Sequence, residues 1–146
     1  MEMMVVLAII ALIVGISFPS TIAGLENVRL ASGARSVASF MSSAANRAER
    51  KQQAMELTVS VKDNIVMLRS ADASVSRTLG LPPGIMVQAV YPPLPQAGDE
   101  PRKFLFLPGG VPPRMGIEIA NKRGGRRLVS LNPTTGVTQI AQPEPQ

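Results

Sequence analysis

Met1-Glu-Met-Met-Val-Val-Leu-Ala-Ile-Ile-Ala-Leu-Ile-Val-Gly-Ile-Ser-Phe-Pro-Ser-Thr-Ile-Ala-Gly-Leu25 opens the chain and sets its architecture. No residue from Met3 to Leu25 is charged, and one carboxylate, Glu2, stands ahead of the run. Residues 3–18 alone, wound as a helix, reach roughly 24 Å, and extending the helix to residue 25 exceeds the roughly 30 Å of a bilayer core. A secretory signal would carry Lys or Arg before its apolar stretch. Here the order is reversed, so a retained membrane helix is expected. A carboxylate at the head of such a helix is costly unless something pairs with it. Seventeen positions after Glu2, Pro19 lacks an N–H and opposes the carbonyl of Gly15. A kink or locally melted turn is therefore predicted between Gly15 and Ser20.

Beyond Pro19 the helical pattern continues. Leu30, Ala34, Val37, Met41, Ala44 and Ala48 recur at steps of three and four, while Arg29, Arg35, Arg47, Arg50 and Lys51 fall mostly on other faces. This spacing predicts an amphipathic helix over residues 21–53, with an apolar side so rich in Ala and Ser that a partner can approach closely. The first fifty or so residues then form one helix, half of it in lipid.

From Met55 the period changes from 3.6 to 2. Strands are expected at 57–62, 65–68, 85–91, 103–107, 116–120, 126–131 and 137–141, separated by turn signals such as Asp63-Asn64 and Asn132-Pro-Thr-Thr-Gly136. Residues 71–78 and 92–101 read as surface loops, and residues 142–146 as a frayed tail. Most of the 13 Pro and 12 Gly lie in this later half, as a loop-rich β region requires. The expected fold class is α+β: a long N-terminal helix packed on a C-terminal antiparallel sheet or sandwich. Three units follow, residues 1–25 as a transmembrane and polymerisation half, 26–53 as the outer helix half, and 54–146 as the β domain.

Composition narrows the chemistry. There is no Cys and no His, which removes thiol nucleophiles, disulfides, histidine bases and nearly all zinc ligation. The acids Asp63, Asp72, Asp99, Glu100 and Glu118 are scattered with no spacing that fixes two carboxylates together, and Pro108-Gly-Gly-Val lacks the Lys and Ser/Thr of a phosphate loop. Neither an enzyme, nor a cofactor, nor a metal site is expected. The net charge is +5, and ten of the fifteen Lys and Arg lie beyond residue 61. Lys122, Arg123, Arg126 and Arg127 crowd one Gly-rich turn. A solvated hairpin with edge-protecting charges is the plainer expectation. Contact with nucleic acid or another anionic partner is the sharper one, without interleaved aromatics for base stacking.

Glu2-Met-Met-Val-Val-Leu-Ala-Ile-Ile-Ala-Leu with Pro19 strongly resembles the start of mature type IV pilins and type II secretion pseudopilins. More weakly, Ala34 to Gln53, Phe104-Leu-Phe-Leu-Pro-Gly-Gly110 and Thr135-Gly-Val-Thr-Gln-Ile140 resemble the GspH/FimT family of minor pseudopilins and minor pilins. The resemblance implies a precursor cut by prepilin peptidase after a basic leader, and the leader and cleavage residues of that motif lie outside this sequence. It also implies an inner-membrane anchor, a periplasmic domain, and partners among major and minor pilin-like subunits that pack through the N-terminal helix. Glu2 would match the family glutamate that pairs with a neighbour's N-terminal amine, and Gly15 with Pro19 would let the helix bend or stretch. DNA-binding FimT-like members carry a C-terminal Gly-Arg-x-Arg motif, where this chain has Gly136-Val-Thr-Gln without either Arg. The expected function is therefore a GspH-like minor pseudopilin of the filament tip. A FimT-like minor pilin is the first alternative, and an unrelated single-pass protein with a periplasmic β domain the second.

Overall fold

The computed structural model describes residues 1–143 except Gln96 and Ala97, with the side chains of Pro19 and Ser20 also outside the description. Helix α1 runs from Glu2 to Lys51. Leu30, Ala34, Val37, Met41, Ala44 and Ala48 form its buried stripe, each at most 1% exposed, which is the seam that the 3–4 spacing predicts. The helix ends where Gln52 adopts a left-handed conformation (φ 50°, ψ 40°) and its N–H turns back to the carbonyls of Ala48 and Glu49. Arg50 and Lys51 fill the last turn, where cations complement the helix dipole.

Eight strands follow: β1 (Met55–Ser60), β2 (Ile65–Ser70), β3 (Ser76–Leu79), β4 (Ile85–Tyr91), β5 (Arg102–Phe106), β6 (Met115–Asn121), β7 (Arg126–Leu131) and β8 (Thr138–Ala141). They build two four-stranded sheets, ordered β3-β2-β1-β5 and β4-β6-β7-β8, with antiparallel pairing throughout. The α+β class with a long helix on an antiparallel β lobe is thus the observed architecture.

Register puts the apolar alternates on one face. Leu57 pairs with Leu68 and Phe104, and Ile117 pairs with Val90 and Val129. All of these join one core with the helix stripe. A bulge between Val87 and Ala89 gives β4 one extra residue, which restores the inward alternation at Val90.

Two expectations need correction. The stretch 71–78, read as loop, contains most of β3, a mostly exposed edge strand paired to Val66, Met67, Leu68 and Arg69. Four residues of Ser-Arg-Thr-Leu carry too little apolar alternation to be seen as a strand, and pairing comes from the neighbour. The turn from Gly15 to Ser20 keeps a helical backbone, so the melted alternative is not the form observed. Of the expected frayed tail, residues 144–146 lie outside the description.

The helix approaches the second sheet closely at Gly33. A Cβ there would stand 3.3 Å from Ile119 Cδ1, 3.4 Å from Ile85 Cγ2 and 3.5 Å from Pro82 Cδ. Further along, Ser42 and Thr138 share a 3.2 Å hydroxyl contact that joins α1 to β8.

Candidate functional site

The helix has two surfaces with opposite fates. From Met1 to Phe18 every large apolar side chain is at least 51% exposed, and an 18-residue window of mean hydropathy 2.5 is 0% buried. Burying such a side chain stabilises by about 1.5–3 kcal/mol, so thirteen of them in water would be untenable for an isolated subunit. By length and composition this half is a candidate membrane span. Glu2 sits in its first turn, where the helix dipole favours a carboxylate, and has no ion-pair partner among the described residues.

Packing against the lobe is tied at both ends of the outer half, each time by a helix carboxylate. Near its start, Glu26 Oε2 lies 3.0 Å from Arg123 Nε in the β6–β7 hairpin. Near its end, Glu49 Oε1 accepts a 2.7 Å hydrogen bond from Gly109 N–H. Gly109 has φ +67°, a conformation that suits glycine and turns its N–H toward the helix. Neither acid stood out in the sequence, because each stands alone and the partner is 97 or 60 positions away.

The hairpin tip is shaped by Asn121. Its Oδ1 accepts from the N–H of Arg123 (3.1 Å) and of Gly125 (2.8 Å), while Gly124 takes φ +86°. This local cap aims Arg123 at the helix. The four cations of the tip do not converge. Arg123 faces Glu26, and Arg126 lies 3.5 Å from Glu118 Oε1. Arg127 donates to the Arg126 carbonyl at 3.0 Å and, with the Gln142 amide oriented to receive it, to Gln142. Lys122 is exposed and joins no ion pair among the described residues.

Glu118 is the one acid at the heart of the second sheet, 2% exposed on the central strand β6. It faces away from Ile117 and Ile119, accepts a 3.1 Å hydrogen bond from the Tyr91 hydroxyl, and leaves Oε1 with only the long Arg126 contact. That carboxylate pushes the Tyr91 hydroxyl above its ordinary value of 10.0, first through the hydrogen bond and then through its charge. On the surface, Asp72 closes the turn before β3 by accepting from the Ser70 hydroxyl at 2.6 Å and from the Ser74 hydroxyl and N–H at 2.7 and 3.0 Å. These donors hold its carboxyl well below the usual 3.8.

Among the described residues, no three of His, Cys, Asp and Glu come together in a way that could hold a metal ion. No family model, characterised protein or solved structure matches the chain.

Proposed function

We propose that this chain is a membrane-anchored minor pseudopilin, GspH-like, serving as a structural subunit of a type II secretion filament tip or its initiation complex. One observation carries the proposal: a single helix leaves every large apolar side chain from Met1 to Phe18 bare and packs its Leu30–Ala48 stripe under a β lobe. A helix that were only an anchor would need no carboxylate at its head. In a filament, the bare halves of many subunits cover one another, and the one acid among them becomes a register mark. Pairing with a neighbour's amine offsets the desolvation of Glu2, while any shifted arrangement leaves a charge buried and unpaired. The β lobe, held by Glu26 and Glu49, then presents the outward surface.

The FimT-like alternative would draw on Lys122, Arg123, Arg126 and Arg127 for DNA. Arg123 and Arg126 already face carboxylates, so we do not adopt it. The test is Glu2→Ala in cells that assemble the filament. The variant still inserts in the inner membrane, yet its recovery in sheared filaments falls by an order of magnitude or more. Incorporation at the wild-type level would remove Glu2 from assembly and overturn the register role given to it here.

A further inference from the structure

We propose that the cleft between the helix neck and the β6–β7 hairpin is a membrane-surface site that takes the phosphate of an anionic phospholipid headgroup. The inference rests on the membrane placement of the first helix half. Bilayer dimensions fix where the neck falls. With Met3 at one edge, a core of roughly 30 Å uses about twenty residues and ends near Ile22, and a headgroup layer of roughly 6 Å uses about four more. The fourth of these is Glu26. Arg29 follows within one turn, and helical side chains lean toward the N-terminus, which here is the lipid side.

The cleft at that level measures about 190 Å³ and is lined by Glu26, Arg29, Gly84, Asn121 and Lys122 among others. Its charges are unbalanced. Two cations, Arg29 and Lys122, line it with one carboxylate, and that carboxylate, Glu26, is already taken by Arg123 at 3.0 Å. Arg29 and Lys122 are exposed, and neither joins an ion pair among the described residues. The Glu26–Arg123 pair therefore acts as the fastener that brings the hairpin to the neck, leaving two free donors at the height of the phosphates. Leu25 and Val28, 51% and 65% exposed, flank the same level with apolar surface suited to the boundary of the acyl region. A site of this kind would hold the lobe at a set tilt over the bilayer before assembly.

The chain contains no Cys, so one introduced thiol reports one position. The exposed Pro83 beside the cleft is changed to Cys in the full chain, and the exposed Thr134, on the turn at the opposite end of β7, serves as the control. Each carries a fluorophore whose quenching by a headgroup-attached quencher is read in vesicles of phosphatidylglycerol with phosphatidylcholine, and in phosphatidylcholine alone. The label at 83 is expected to be quenched in the anionic vesicles and the label at 134 spared. Near a charged membrane each cation is worth about fivefold in occupancy. Arg29→Gln with Lys122→Gln should therefore lower the docked fraction about 25-fold, while Arg29→Lys with Lys122→Arg retains it.

Equal quenching at 83 in both lipids, with the chain floating with the vesicles, overturns the headgroup site and leaves the membrane helix standing. A chain that fails to float overturns both. Inorganic phosphate that reproduces the shift in phosphatidylcholine vesicles would make this a free-anion site and overturn the lipid assignment. Duplex DNA bound by the full chain and lost in the Gln double variant, without lipid dependence, would overturn it in favour of nucleic acid.

Discussion

Gly33 is a point of close approach between the helix and the sheet, and enlarging it tests how the lobe is mounted. A built Cβ meets Ile119 Cδ1 at 3.3 Å, Ile85 Cγ2 at 3.4 Å and Pro82 Cδ at 3.5 Å. For Gly33→Ala, helix propensity gains about 1 kcal/mol, and the Ile119 methyl, at the end of a flexible side chain, can yield a few tenths of an ångström. The two effects roughly cancel, so stability should stay within about 0.5 kcal/mol of the wild type. Gly33→Leu adds three more carbons where three side chains already close the space. Overpacking costs about 1–3 kcal/mol, and the propensity gain recovers at most about 1 kcal/mol of it. A net loss of about 1–2 kcal/mol corresponds to a Tm lowered by roughly 3–7 °C. Gly24→Leu is the matched control, since nothing lies within 4 Å of its Cβ. Thermal unfolding of the full chain in detergent, followed by circular dichroism in the β region, measures all three. A Gly33→Leu variant melting with the wild type would refute the close approach, and with it the idea that small residues on this face were chosen for contact.

Arg126→Ala leaves Glu118 buried without its cation. Because Arg126 is more than half exposed, solvent screening reduces the expected loss to about 1–2 kcal/mol, and adding Glu118→Gln should recover most of it in a double-mutant cycle by urea unfolding. Additive losses would contradict the pairing. Tyr91 titrates above 10.0 in the fold, so its stabilising contribution is complete below pH 10.0 and is lost as pH rises through the folded value. Tyr91→Phe should lack that alkaline loss, and as the chain has a single Tyr, stability measured between about pH 9 and 11 isolates it. Asp72 behaves with the opposite sign. Its carboxyl is held below 3.8, so the stability it adds is present above that value and falls away as acid is added. Asp72→Asn should flatten the acid limb of the stability profile relative to wild type.

Periodicity made the helix and most of the lobe legible. The 3–4 spacing from Leu30 to Ala48 identified the buried seam residue by residue, because burial of one helix face leaves a regular mark. The strands at 85–91 and 126–131 agree with β4 and β7 to the residue. Other features left no local mark. Edge strand β3 forms by pairing with β2 rather than by its own pattern. The division into two sheets depends on which strands meet, and alternation within a strand is silent on its neighbours. The neck was the least legible feature, since Glu26 and Arg123 are joined only by the fold. The four clustered cations read first as a solvated hairpin and second as a shared anion site, and neither reading foresaw that the register of β6 and β7 sends Arg126 to Glu118 while the Asn121 cap turns Arg123 to the helix. Glu2 was conspicuous because a lone acid heads a long uncharged run, and a cost of that kind is visible without any tertiary contact.

Whether residues 3–25 lie in lipid, and then against neighbouring helices, decides the function proposed for this chain. Single cysteines placed along that run in this Cys-free chain, and challenged with a water-soluble thiol reagent, measure it in native membranes and again in purified filaments. We expect protection from Met4 to about Ile22 in membranes, and reactivity at a further cysteine placed at the exposed Asn27 just beyond the run. In filaments the same run stays protected with no lipid remaining, because neighbouring helices cover it. Reactivity along the whole run in membranes, or absence of the chain from filaments that otherwise assemble normally, would contradict the central claim.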